Sequence, residues 1–152
     1  MATRRELIRG LVDTNVLVYA WRSGATQHRQ AFRFRARATA DRDLIVVAPQ
    51  ILTEFYRTVT NPRVVDPPAT PEEALQEVIR LRSLFDTAYP GQRTSRLFEG
   101  LVRKHRPTSA RVFDYYLAAT ALTFGLTRIY TFNTRDFADI DGLEAIEPPA
   151  NL

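Results

Sequence analysis

"LVDTNVLVYAW", residues 11–21, sets three polar side chains, Asp13, Thr14 and Asn15, between two apolar runs. The run before them, residues 7–12, reads as a short buried strand that stops at Asp13. The run after them suits a helix that Thr14 caps and that extends to Trp21. A strand that passes directly into a helix opens a β-α unit, and the polar joint then lies at the strand's carboxyl end.

The same alternation continues downstream. A helix is expected over residues 26–40, with Arg29, Arg33 and Arg37 at i, i+4 and i+8 on one face. Residues 44–47 are apolar and β-branched and form the second expected strand. Pro49 fits the first turn of a helix that runs to residue 59 and is stopped by Asn61-Pro62. "NPRVVDPPATP", residues 61–71, is the most loop-like stretch, and Thr70-Pro71-Glu72-Glu73 opens a helix to residue 85. A short extended piece at 86–89 leads into a Pro90-Gly91 turn. Helices follow at 95–105 and 110–124, the second ended by Gly125, and strands at 129–131 and 144–146 close the chain.

Strands separated by helices predict an α/β fold, a mainly parallel sheet covered by helices. No repeat, low-complexity tract or linker divides residues 1–152, so a single domain is expected. In such sheets ligands gather outside the carboxyl ends of the strands.

Composition narrows the chemistry. With 152 residues, 45% hydrophobic and 25% charged, and a mean hydropathy of -0.24, the chain suits one soluble globular core. There is no cysteine, which removes disulfides, thiolate zinc sites and thiol catalysis. No apolar run is long enough to span a membrane and the first ten residues lack a signal-peptide core, so a cytoplasmic protein is expected. The net charge of +4 and pI near 9.8 suit a polyanionic partner. Twenty of the 21 basic residues are arginine, a fork of donors matched to phosphate, although genomic base composition produces the same bias.

Four acidic positions stand out. Asp13 lies at a strand end, where a lone Asp most often caps a helix. Glu54, in "PQILTEFYRTV", sits about 60° from Ile51 at 100° per residue, at the edge of that helix's apolar stripe. Asp114, in "RVFDYYLAATAL", precedes the inward residues Leu117 and Ala118 by three and four positions, so it is expected on the buried face. A carboxylate there needs a cation, a donor set or a proton. "TFNTRDF" adds Asn133 and Asp136 just after the strand ending at Thr131; taken singly these are a turn residue and a cap.

Several carboxylates around one cleft raise each other's pKa unless a cation is present. Hard divalent cations prefer oxygen ligands, and Mg²⁺ in particular takes one or two carboxylates, waters and substrate phosphates. The two histidines, His28 and His105, are distant in sequence from these segments, which argues against a His-rich zinc site. Mg²⁺ or Mn²⁺ on carboxylates points to metal-assisted phosphodiester hydrolysis.

"LVDTNVLVYA", "LTEFYRTV", "DYYLAATAL" and "TFNTRDF", in that order, resemble the PIN-domain ribonucleases, most closely the VapC-type toxins of toxin–antitoxin pairs. The resemblance covers residues 11–148. It implies a three-layer α/β/α fold and a Mg²⁺- or Mn²⁺-dependent endoribonuclease acting on tRNA, rRNA or mRNA. By the same resemblance Asp13 and Asp114 are the principal metal ligands, Glu54 completes the site directly or through water, and Asn15 and Thr131 orient the carboxylates. Many members carry a fourth acid two residues after the position of Thr131; this chain has Asn133 there and Asp136 three residues on. One well-held metal is expected, with Asp136 as an accessory acid. A homodimer and a small VapB-like antitoxin are implied as partners, and Arg29, Arg33 and Arg37 are candidates for contacts to RNA or antitoxin.

Three alternatives fit less well or differently. A haloacid-dehalogenase-like phosphatase needs a second Asp where this chain has Asn15, and a response-regulator receiver needs a late strand-end lysine, whereas Lys104 is expected in a helix. A PIN domain that has lost catalysis and acts as an RNA-binding module draws its support from Asn133.

Overall fold

The computed structural model describes residues 7–152. Gly10–Val12 forms β1, buried throughout, and Thr14–Trp21 forms α1 directly after it. His28–Ala40 (α2) leads to Ile45–Val47 (β2), and Pro49–Val59 (α3) and Pro71–Leu84 (α4) lead to the short Asp86–Thr87 (β3). Gln92–His105 (α5) and Arg111–Thr123 (α6) precede Arg128–Tyr130 (β4), a turn of 3₁₀ helix at Thr134–Phe137, and Glu144–Ile146 (β5).

The five strands form one parallel sheet in the order β3-β2-β1-β4-β5. The chain therefore steps outward from β1 in one direction through β2 and β3, then returns to place β4 and β5 on the other side. The reversal lies between β1 and β4, and the carboxyl end of such a switch point is where an open α/β sheet leaves a crevice. Leu11, Val12, Ile45, Val46, Val47, Ile129 and Tyr130 are all buried, as expected where helices cover both faces. α1 packs on α2 and α3, and α5 packs on α6, which completes the three layers.

Capping chemistry fixes several boundaries. Thr70 and Glu73 form a reciprocal capping box at the start of α4. Gly125 follows α6 at φ +80°, a left-handed conformation that glycine adopts without strain. Other boundaries differ from the sequence reading. The cap of α1 is Asp13 rather than Thr14, because the Asp13 carboxylate accepts from Thr14 N at 2.8 Å. β1 begins at Gly10 rather than residue 7, since its neighbours β2 and β4 are three residues long and leave the earlier residues no ladder. α2 starts at His28 without a side-chain cap, and α5 starts at Gln92, where Thr94 Oγ1 accepts from Gly91 N. β4 lies one residue earlier than expected, which leaves Thr131 just beyond it.

One charged contact ties helices across the fold. Arg35 of α2 donates to Glu77 of α4, and both side chains are largely buried, at 13% and 8% exposure. Among the described residues no helix is long and apolar enough to cross a membrane.

Candidate active site

Asp13 N donates to Tyr130 O at 2.9 Å, one step past the last residue of β1. That bond brings Asp13 beside Thr131, the residue after β4, and Thr131 Oγ1 donates to Asp13 Oδ2 at 2.7 Å. Asn15 closes the joint. Its Nδ2 donates to Asp13 Oδ2 (3.3 Å) and Thr131 Oγ1 (3.2 Å), and its Oδ1 accepts from Phe132 N (3.1 Å). Asn133 N donates to Thr131 Oγ1 at 3.0 Å. The polar interruption in the opening segment thus binds the ends of β1 and β4 together and fixes the Asp13 carboxylate in one orientation.

Thr14 extends the joint to α3. Its Oγ1 donates to Glu54 Oε2 at 3.0 Å, drawing α3 toward α1, and Gln50 Nε2 donates to Glu54 Oε1 at 3.2 Å. Glu54 therefore turns inward from the edge of the α3 stripe. Asp114, in the first turn of α6, is 28% exposed rather than fully buried, and its partner is Arg111 one turn earlier, at 3.1 Å. Arg111 Nη1 also donates to Asp136 O at 2.7 Å and lies 3.5 Å from Asp136 Oδ1. It crosses the ring of Tyr115, whose hydroxyl donates to Asp139 at 2.6 Å. A network centred on one guanidinium thus holds α6 to the 3₁₀ turn.

Asp13, Thr14, Asn15, Glu54, Asp114, Asn133 and Asp136 line one cavity of about 340 Å³. Thr131 lies behind it, fully buried. Arg29, Arg33 and Arg37 do not belong to this cavity; they occupy the exposed face of α2, opposite Ala31, Phe34 and Ala38.

Electrostatics follow from this crowding. Burial pushes the Asp13 carboxyl up to about 6, a rise that the Thr131 and Thr14 hydrogen bonds reduce and that Glu54 and Asp114 add to. Asp114 is also raised, by burial first and by Asp136 next, with Arg111 pulling the other way. Among the described residues no three acids or histidines are already drawn around one point to enclose an ion. The donor set is instead an open arc of carboxylate, amide and hydroxyl oxygens. It suits a hard cation that keeps part of its water shell, and offers neither thiolate nor imidazole for a softer one.

Two cationic residues escaped the sequence reading. Arg22 lines the cavity with Val18 and Thr14, which share its face of α1 at i, i+4 and i+8. Arg111 stands three residues before Asp114, the spacing that brings two side chains together on a helix. That i, i+3 relation was the available signal for both the partner and the partial exposure of Asp114.

A family model described as PIN domain matches residues 10–143. The chain is 32% identical over 120 residues to Ribonuclease VapC43 of Mycobacterium tuberculosis, covering 73% of this chain and 77% of that one. Among solved structures it is similar to Mycobacterium tuberculosis VapC20, described as a sarcin-ricin loop cleaving toxin, with TM-score 0.63 and 19% identity over 84% of this chain and 92% of that one. It is also similar to VapBC of Salmonella typhimurium, solved bound to DNA, with TM-score 0.64 and 20% identity over 93% of this chain and 99% of that one. At those identities the structural likeness speaks for the fold.

Proposed function

The chain belongs to the PIN-domain family, and on that premise we propose that it is a divalent-metal-dependent endoribonuclease, the toxin of a toxin–antitoxin pair. The observation that carries this reading is the meeting of Asp13, Glu54, Asp114 and Asp136 in one cavity at the β1–β4 switch point. Four acids in one place favour a catalytic over a merely RNA-binding PIN domain.

Asp13 and Asp114 would hold Mg²⁺ or Mn²⁺, with Glu54 completing the site directly or through water and Asp136 as an accessory acid. When bound, the cation supplies Lewis-acid activation of water and of a phosphate oxygen. Asp13 is held for that role by Thr14 N, Thr131 and Asn15, so its lone pairs keep one direction. Glu54, oriented by Thr14 and Gln50, takes the proton of the attacking water. A new P–O bond then forms in line as the P–O3′ bond breaks, and the departing O3′ takes a proton from solvent water, leaving a 3′-hydroxyl and a 5′-phosphate. Arg22 supplies positive charge at the cavity wall for the phosphate backbone, and Arg111 holds Asp114 and Asp136 beside it.

The chain 1–152 acts in this reading as a single PIN domain in the cytoplasm. Its antitoxin would cover the acidic cavity, and a cationic side chain is the chemistry that cavity would take from it. A second copy of the chain is the further partner, and the exposed pair Leu75 and Ile79, four residues apart on α4, offers an apolar surface for it.

The test is cleavage of single-stranded and loop-containing RNA by purified protein, with the new ends identified chemically. Mg²⁺-dependent cuts bearing 5′-phosphates are expected, at least about 100-fold slower in Asp114→Asn. Equal rates in Asp114→Asn, or 2′,3′-cyclic phosphate ends, would overturn the reading.

A further inference from the structure

α2 carries arginine at positions 29, 33, 35 and 37 and no carboxylate at all. Arg35 turns into the fold and pairs with Glu77. Arg29, Arg33 and Arg37 are exposed, and among the described residues none of the three pairs with a carboxylate. Successive members of the row stand about 6 Å apart along the helix, at 1.5 Å per residue, so the row is about 12 Å long. Like charges at i, i+4 repel one another. Arg29 also puts a cation into the first turn, the end of a helix that favours anions. No group on α2 offsets either cost, whereas a polyanion laid along the row would offset both.

Two further observations say which polyanion. Phe32, three residues after Arg29, shares this face and is 56% exposed, its ring tilted against His28 at 5.5 Å between centroids. The near end of the row also lies against the acidic cavity. His28 Nδ1 is 2.8 Å from Tyr19 O, and Tyr19 lines that cavity together with Arg22. Two backbone turns, Ala25 N to Arg22 O (3.2 Å) and His28 N to Ala25 O (3.0 Å), span the interval from Arg22 to α2. Cations thus continue from the cavity wall onto the exposed face of the next helix.

We propose that this face of α2 is an exosite for the RNA substrate. A single-stranded stretch flanking the cleaved bond lays its phosphates along Arg29, Arg33 and Arg37 and stacks one base on Phe32. The proposal rests on the RNA-cleaving reading of the acidic cavity. Guanidinium forks match phosphate oxygens. A positive track with an exposed aromatic ring is the combination that holds single-stranded nucleic acid with little regard to sequence. RNA answers both features, since each nucleotide brings an anion for the row and a flat ring for Phe32. The acids of the cavity repel the strand they are to cut, and cations beginning at the cavity wall offset that repulsion.

The experiment measures binding of labelled single-stranded RNA of mixed sequence to full-length Asp13→Asn protein, which leaves the RNA uncut, over a series of salt concentrations. One strand is long enough to reach α2 and a short one fills the cavity only. Substituting Arg29→Gln, Arg33→Gln and Arg37→Gln together should lower the slope of log affinity against log salt by about 2, at about 0.7 per phosphate contact. The same slope makes binding of the long strand about 100-fold weaker at about 0.1 M salt. The short strand should bind as before. Phe32→Ala should weaken the long strand about 5- to 150-fold, the equivalent of about 1–3 kcal/mol per stacked base, and leave the salt slope unchanged. In the otherwise native enzyme the triple substitution should raise KM for the long RNA and leave kcat within about twofold. Unchanged slope and affinity in the triple variant, while the wild type cleaves RNA, would overturn the exosite and leave the nuclease reading standing; absent cleavage by the wild type would overturn that reading itself. Equal losses for the long and short strands would place the effect in the cavity and also overturn the exosite. RNA affinity kept while binding of polyglutamate, a probe for acidic protein, is lost would assign the face to an acidic protein partner instead.

Discussion

Removing the charge of Asp13 should make the metal-free protein more stable. Its carboxyl titrates near 6 in the fold against 3.8 when exposed, so ionising it costs the folded state about 3 kcal/mol, at 1.36 kcal/mol per pH unit. The folded state binds this proton more tightly than the unfolded chain does. The stability it contributes is complete below 3.8, falls as pH rises, and is gone above about 6. Asp13→Asn removes that loss, but with its oxygen kept toward Asn15 and Thr131 its amide nitrogen faces Thr14 N and forfeits about 1 kcal/mol of hydrogen bonding. A net gain of about 2 kcal/mol raises Tm by roughly 4–8 °C in a domain of this size. Thermal melts of both proteins in EDTA, at about pH 8 and about pH 4, measure it. A gain at the higher pH that vanishes at the lower is expected; an equal Tm at both, or a loss at the higher pH, would mean that ionising Asp13 carries no such cost in the fold.

Four other outcomes follow from the same contacts. Excess Mg²⁺ at a hundred times its Kd should raise the wild-type Tm by roughly 5–10 °C and leave Asp13→Asn unmoved in the same melt. Thr131→Val removes the hydroxyl that links Asp13, Asn15 and Asn133, and should shift the midpoint of a Mg²⁺ titration of cleavage upward by about 10–100-fold. Glu77→Ala strands the buried Arg35 guanidinium and should lower stability by about 3–5 kcal/mol in urea unfolding, whereas Arg33→Ala on the exposed face of α2 should change it by less than about 0.5 kcal/mol. Asn133→Asp adds a charge at the cavity rim and should strengthen Mn²⁺ binding, measurable by calorimetry.

The order of elements was legible because the apolar runs are short and the caps explicit: Pro49, Thr70 with Glu73, and Gly125 each mark a boundary that the fold keeps. Asp13 was legible as a position because a strand end followed at once by a helix start leaves it nowhere but the joint. What the sequence withheld was contact across distance. Asn15 and Thr131 are separated by 116 positions, and their hydrogen bond depends on β4 returning to the far side of β1. The burial of Asp114 was overestimated because helical periodicity gives a face and not a depth, and Arg111 on the same face keeps it near the surface. The same limit applies to α2, where periodicity grouped Arg29, Arg33 and Arg37 while the arginine engaged in the fold is Arg35, between them. The 3₁₀ turn at Thr134–Phe137 gives too short a pattern to read, and it is the element that brings Asp136 into the cavity.

The proposed activity is cleavage of RNA, through a divalent cation, in the acidic cavity at the β1–β4 switch point. Its most direct test is one time course of RNA cleavage by the wild-type protein in Mg²⁺, with EDTA added midway and Mg²⁺ restored afterwards. Cleavage that stops on chelation, resumes on restoration, and is missing throughout in Asp13→Asn is the expected result. Cleavage that continues through the chelator, or that Asp13→Asn performs at the wild-type rate, would contradict it.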